Sequence, residues 1–370
     1  MKSLNDYYLS TIRSLFLFTG LEDALFCNAF IKEAIQLILN SLVLYEDGFF
    51  DCAFYSLRQS VEIMNSMLIC STDETKYQSW QEKARFPFDG KIKTLLDQSC
   101  SNYSEIKNAL PEFFNRFEEL LKQANKIIHK QGFDTFYTFI SIHENPDKKT
   151  KDRENLFVLF LDYCIGMVIF LYIALDPISL IVTDEDVLYH IPFDYMTEPV
   201  PISFFDDVFS PSSDYIERIR QTQFYCNLKE YFLSLEELKP ATFSLIHYQY
   251  FDIDNLSDIR SQLHLVSPLE LRILTILEKG IKASHFYSNE CLLGYYTSIK
   301  SNAVSNGFSS DQFNVFLNKP FETNIAWRGV YISLFHVSDG YLIIEHNEAL
   351  TDDEKDLINK CLNNGFPIPF

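Results

Sequence analysis

Apolar residues recur at three- and four-residue intervals through most of the first 175 positions, the spacing that lines one side of an α-helix. The pattern predicts helices over 6–18, 22–44, 48–71, 75–99, 102–130 and 154–175. Breaks are expected at Gly20, at Glu46-Asp47-Gly48 and at Phe86-Pro87-Phe88-Asp89-Gly90, with a polar loop over 143–153. Pro111 suits the first turn of a helix, where its missing N–H is not needed.

The texture changes after Asp176-Pro177. Ile178–Val182 and Val187–Phe193 flank Thr183-Asp184-Glu185-Asp186, a pattern that predicts a hairpin. Four prolines make 192–211 a poor site for regular structure. A helix is expected over 213–238, then a strand over 241–251, where Phe243, Leu245, His247 and Gln249 alternate; this makes His247 a half-buried sheet residue. Ser267-Pro268-Leu269-Glu270 is a capping box that opens a helix to about Lys279. A further helix is expected over 288–304. The end of the chain reads as a hairpin, 329–337 and 341–346 around Ser338-Asp339-Gly340, and a final helix opening at Thr351-Asp352-Asp353-Glu354. The expected architecture is a mainly α domain over 1–176 followed by an α+β domain with β-hairpins over 177–370.

Charge sharpens this division. The net charge of −20 is unevenly spread: residues 1–175 hold 18 Lys and Arg against 23 Asp and Glu, and the remainder 13 against 28. So acidic a second half repels phosphate backbones and suits a protein partner, which leaves RNA a place only on the helical half. Eight dispersed cysteines without a C-x-x-C pair argue against a zinc module and for reduced thiols in a cytoplasmic protein. Leu156–Leu175 carries one charge, Asp162, and is long enough to span a bilayer. A charge in its first third favours a buried core helix instead. No hydrolase elbow or phosphate-binding glycine loop is present, and Glu345-His346-Asn347-Glu348 lacks the second histidine of a metal site. Without interleaved Lys and Arg, the 34 Phe and 21 Tyr read as packing material rather than base-stacking platforms.

The segment 112–130 holds the candidate chemistry. At 100° per residue, Phe113, Phe117, Leu120, Leu121, Ala124, Ile127 and Ile128 share one face, while Glu118, Lys122, Asn125 and His129 lie opposite. Ala124-Asn125-Lys126-Ile127-Ile128-His129 resembles the R-N-x-x-x-H signature of HEPN ribonucleases, with alanine in the arginine's place. Gly48, Ala53, Arg58 and Glu62 resemble the G-x4-A-x4-R-x3-E pattern of the second helix in many HEPN-like proteins, and His129-Lys130-Gln131-Gly132 its H-x-x-G ending. The resemblance covers roughly residues 22–175.

It implies an HEPN-like helical bundle that forms a homodimer around the 112–130 face, within an anti-phage defence or toxin–antitoxin system. In active relatives the histidine assists proton transfer and the arginine stabilises charge on the phosphate. Lacking that arginine, the chain is expected to be a non-catalytic binding or regulatory component that needs no cofactor. Its binding face would comprise Glu118, Lys122, Asn125, His129 and Arg58. Two alternatives stay open. One is a metal-independent endoribonuclease using His129, Asn125 and Lys122; the other is a structural subunit of a larger complex.

Overall fold

A computed structural model describes residues 9, 12, 15–83, 89–137, 146–193, 195–209, 214–288, 293–304, 322–337 and 340–363. Helices occupy the chain to about residue 175. They are α1 (Cys27–Glu46), α2 (Phe50–Thr72), α3 (Glu74–Gln81), α4 (Asp89–Ser99), α5 (Ser101–Ala109), α6 (Pro111–Ile128) and α7 (Pro146–Leu175). The helix expected over 6–18 lies largely outside the described residues, and 15–18 is irregular. The expected loop 143–153 is shorter than read, because α7 already begins at Pro146.

Helix α2 is the hub of this bundle. One flank lies along α1, another against α7, and α6 packs beside it. Aromatic rings knit these faces: Phe54 meets Phe157 and Phe160, while Phe117 stacks over Phe160. Asp152–Leu175 has the length and apolarity of a membrane span, yet 78% of its most apolar stretch is buried inside the fold. Such all-round burial is what an evenly apolar helix needs from its neighbours.

The chain divides into two compact units, residues 1–188 with 195–234 and residues 189–194 with 235–370. The boundary expected after Asp176 therefore falls inside the first unit. Its reason is aromatic packing: Phe205 stacks on Phe170, and Phe209 meets Phe113. Short helices α8 (Ile178–Ile181), α9 (Glu185–Leu188), α10 (Ile202–Val208), α11 (Tyr215–Ile219) and α12 (Gln223–Leu233) fill this stretch.

The hairpin expected over 178–193 is thus helical turns. Leu180 and Ile181 are buried by neighbouring helices, and the Asp176 carboxylate accepts the Ile178 N–H at 3.1 Å to start the turn. The single helix expected over 213–238 breaks at Thr222, where the chain turns extended. There the Glu105 carboxylate of α5 accepts the Phe224 N–H at 3.0 Å, a cap supplied from far away in sequence.

The second unit carries a six-stranded mixed sheet of order β1-β3-β2-β6-β5-β4. Its strands are β1 (Tyr250–Phe251), β2 (His285–Ser288), β3 (Leu293–Thr297), β4 (Ile325–Trp327), β5 (Val330–Val337) and β6 (Gly340–His346). Only the β1–β3 pair is parallel among the described strands. Helices α13 (Pro240–Tyr248), α14 (Leu256–Ser261), α15 (Pro268–Glu278) and α16 (Asp352–Asn363) complete the unit. A core of Phe251, Ile273, Leu277, Phe286, Phe335, Ile344 and Ile358 fills one side of the sheet.

Sequence patterns were met unevenly here. The terminal hairpin and the last helix form, although its turn, Ser338-Asp339, lies outside the described residues. Ser267 and Glu270 close their capping box. The strand expected over 241–251 is instead α13, started by Pro240 and ended by Gln249 in the left-handed region. Phe243 and Leu245 are buried on α13 together with Ala241, Thr242 and Ile246, so helical spacing overrides the alternation. His247 accordingly sits on a helix, its Nε2 3.0 Å from the Ile191 carbonyl. The helix expected over 288–304 is replaced by β3 and an irregular segment, because Phe286 pairs with both Tyr295 and Ile344 in the sheet.

Candidate functional site

Helices α2 and α6 form a polar seam in the first unit. On α2 the positions Asp51, Tyr55, Arg58 and Glu62 follow one another at three- and four-residue steps. Arg58 donates from Nε to Glu62 Oε1 at 2.6 Å and from Nη1 to Asn125 Oδ1 at 3.1 Å. The structure therefore joins Arg58 to the motif helix, and Arg58 touches two other residues that the sequence singled out, Glu62 and Asn125. Glu118 does not join them. It pairs with Lys93 of α4 at 2.9 Å.

Lys122 is exposed and makes no ion pair among the described residues. His129 is exposed at the C-cap of α6, and its ring has no hydrogen-bond partner among them. Beyond it the chain closes a Schellman cap. Gln131 N–H bonds to the Lys126 carbonyl at 2.8 Å and Lys130 N–H to that of Ile127 at 3.3 Å, with Lys130 left-handed at φ 52°. Gly132 follows at φ 99°, and a Cβ there would come within 2.6 Å of Asp134 Oδ1. The H-x-x-G ending is thus the exit of a helix, with a backbone reason for its glycine.

The lower end of the seam was not foreseen. Lys130 reaches Asp51 at 3.0 Å and lies 4.0 Å over the Tyr137 ring, whose hydroxyl bonds to the same carboxylate. Burial pushes the Asp51 carboxyl up, but the Tyr137 hydroxyl and the Lys130 ammonium outweigh it and hold the carboxyl below its ordinary range. Burial, then the bond to Asp51, pushes the Tyr137 hydroxyl up to about 12. Phe133 stands 73% exposed beside these groups in sequence, and Arg153 holds the Asp134 carbonyl at 3.2 Å. No sequence signal brings 51, 130, 137 and 153 together, because their loop and helix ends meet only through the fold.

Ala124 lies on the other side of α6, fully buried at 0% exposure in line with Phe113, Phe117 and Leu120. An arginine there would begin inside the bundle, not in the seam. The charge beside Asn125 comes from Arg58, already shared between Glu62 and Asn125. The seam can therefore bind through hydrogen bonds and exposed lysines, but among the described residues it presents no preassembled pair of histidine and free guanidinium. Among the described residues no three His, Cys, Asp or Glu side chains gather as a metal site. A cavity of about 480 Å³ opens elsewhere, at the far end of α2, between Thr72, Ser101, Asn102 and Ala174.

Comparisons with known protein families, characterised proteins and solved structures found no match for this chain.

Proposed function

We propose that the first unit is an HEPN-like helical module acting in binding or regulation rather than in RNA cleavage, within a prokaryotic defence or toxin–antitoxin system. One observation carries the non-catalytic part of the reading: position 124 is a core position occupied by alanine, while the Arg58 guanidinium is tied to Glu62 and Asn125. Charge stabilisation on a phosphate is best served by a free guanidinium, and Lys122, exposed on the same helix as His129, offers a point charge without the arginine's bidentate fork. In this reading a second copy docks over the α6 seam, and the acidic second unit engages a protein partner. The sequence resemblance, together with the exposed Lys122 and His129, supports the placement of the binding face.

A second reading has its own observation. Arg58 stands beside Asn125, so a metal-independent ribonuclease could draw its cation from α2 with His129 as proton carrier. Purified protein incubated with total cellular RNA without added metal, beside His129→Ala and Arg58→Ala, separates the two. The binding reading expects no cleavage by any of the three folded proteins. Cleavage by the unsubstituted protein that both substitutions abolish would replace it with the nuclease.

A further inference from the structure

His346, at the end of β6, is 1% exposed, and Ser333 beside it on β5 is 0% exposed. His346 Nδ1 lies 2.6 Å from the Glu348 carbonyl, which can only accept, so the Nδ1 carries a proton. Nε2 lies 2.9 Å from Ser333 Oγ, and that oxygen already accepts the Asn324 N–H at 2.8 Å. With the Ser333 hydroxyl donating to Nε2, every group in this chain has a partner and the imidazole is neutral. Asn324 extends it. Its side chain donates to the Leu350 carbonyl and accepts the Leu350 N–H, both at 2.8 Å. Leu350 leads directly into the Thr351 cap of α16.

We propose that His346 is an acid-sensitive latch: neutral, it closes the hydrogen-bond ring that holds 322–324 and the lead into α16 against the β5–β6 hairpin, and its protonation opens that ring. The physical reason is a conflict of donors. A protonated Nε2 must itself donate toward Ser333, whose own proton then loses its acceptor in a dry site. Burial pushes His346 below its ordinary value. The Glu348 carbonyl, then the Glu354 carboxylate of α16 and that of Glu345 on β6, pull the other way. Tyr331, the cross-strand neighbour on β5, has its ring parallel to the imidazole with centroids 6.0 Å apart.

The sign follows from proton counting. Below about pH 6.5 the opened chain binds a proton that the closed unit refuses, so the closed form weakens as pH falls toward the folded value. Each pH unit across that window lowers the closed-to-open ratio by about tenfold. Among the described residues, His285 of β2 competes for this role. It sits opposite Glu345 on the sheet, and burial depresses it as well.

The chain has two tryptophans, one in each unit, so Trp80→Phe leaves Trp327 of β4 as the only indole. In full-length Trp80→Phe protein, emission from Trp327 should show a reversible transition as pH is lowered from 8 to 4. His346→Gln should move it at least one pH unit lower or remove it, and His285→Gln should leave it in place. The His346 Cε1–H resonance of the unsubstituted protein should titrate below pH 6.5 with the same midpoint, a readout that needs no variant to fold. Absence of the transition, an unchanged midpoint in His346→Gln, or a resonance titrating at its ordinary value would each overturn the latch.

Discussion

Restoring arginine at position 124 is the sharpest test of how the α6 site is read. If only an ancestral mutation separates this chain from an active motif, Ala124→Arg should be tolerated. Geometry says otherwise. The Ala124 side chain is fully buried on a helix that packs against both α2 and α7. Arginine puts three methylenes and a guanidinium where one methyl now fits. Overpacking of this kind costs roughly 1–3 kcal/mol. Taking a cation without a partner into the bundle adds several more, partly relieved if the chain bends outward. A loss of about 3–5 kcal/mol is expected, a large share of the roughly 5–15 kcal/mol that holds a protein folded. For a unit of this size that is about 6–20 °C in midpoint temperature. Urea unfolding followed by circular dichroism measures it, with Ala124→Gly as a small-residue control. A folded Ala124→Arg protein within about 0.5 kcal/mol of the parent would show that position 124 opens onto the seam, and the argument for a non-catalytic site would fail with it.

Three further outcomes follow from the same structure. Arg58→Ala should cost about 1 kcal/mol, since the pair with Glu62 is partly exposed and one bond to Asn125 is lost with it; a cycle with Glu62→Ala that shows no coupling would place the energy elsewhere. Asp176→Ala should cost about 3–5 kcal/mol, because it strips the acceptor from Thr19 and Thr197, which both donate at 2.7 Å in a fully buried site. Burial raises the Asp176 carboxyl above its ordinary range against those hydroxyl bonds, so the folded form holds its proton more tightly; stability from this group rises as pH falls through the folded value toward the ordinary carboxylate range, a slope that Asp176→Asn should remove in acid–urea titrations. Ser267→Ala should destabilise the second unit by about 1 kcal/mol through loss of the α15 capping box, and a midpoint unchanged in chemical denaturation would refute that.

Most of the helical half was readable because helices announce themselves locally, although 102–130, expected as one helix, divides at Leu110 into α5 and α6. The spacing of Phe113, Phe117, Leu120 and Ala124 names the buried face of α6, and Pro111 marks its start. Capping boxes at Ser267 and Thr351 are equally local, since their atoms lie three residues apart. The brace between Arg58 and Glu62 follows from four-residue spacing alone. Where two patterns fit the same residues, the sequence could not choose. Phe243 and Leu245 alternate as in a strand and also fit a helical turn, and Ile178–Val182 is apolar enough for either.

Tertiary structure made those choices, through partners far away in sequence. Glu105 caps a helix 119 residues later and splits an expected long helix at Thr222. Asp176, read only as the end of the first domain, gathers Thr19 and Thr197 into one buried network. Arg58 meets Asn125 across 67 residues, and Lys130 meets Asp51 at the turn beyond α6. Local spacing carries information about which face of a segment is apolar, because that depends only on backbone periodicity. Which groups satisfy a buried charge or an open helix end depends on where the chain returns, and only the folded packing fixes that.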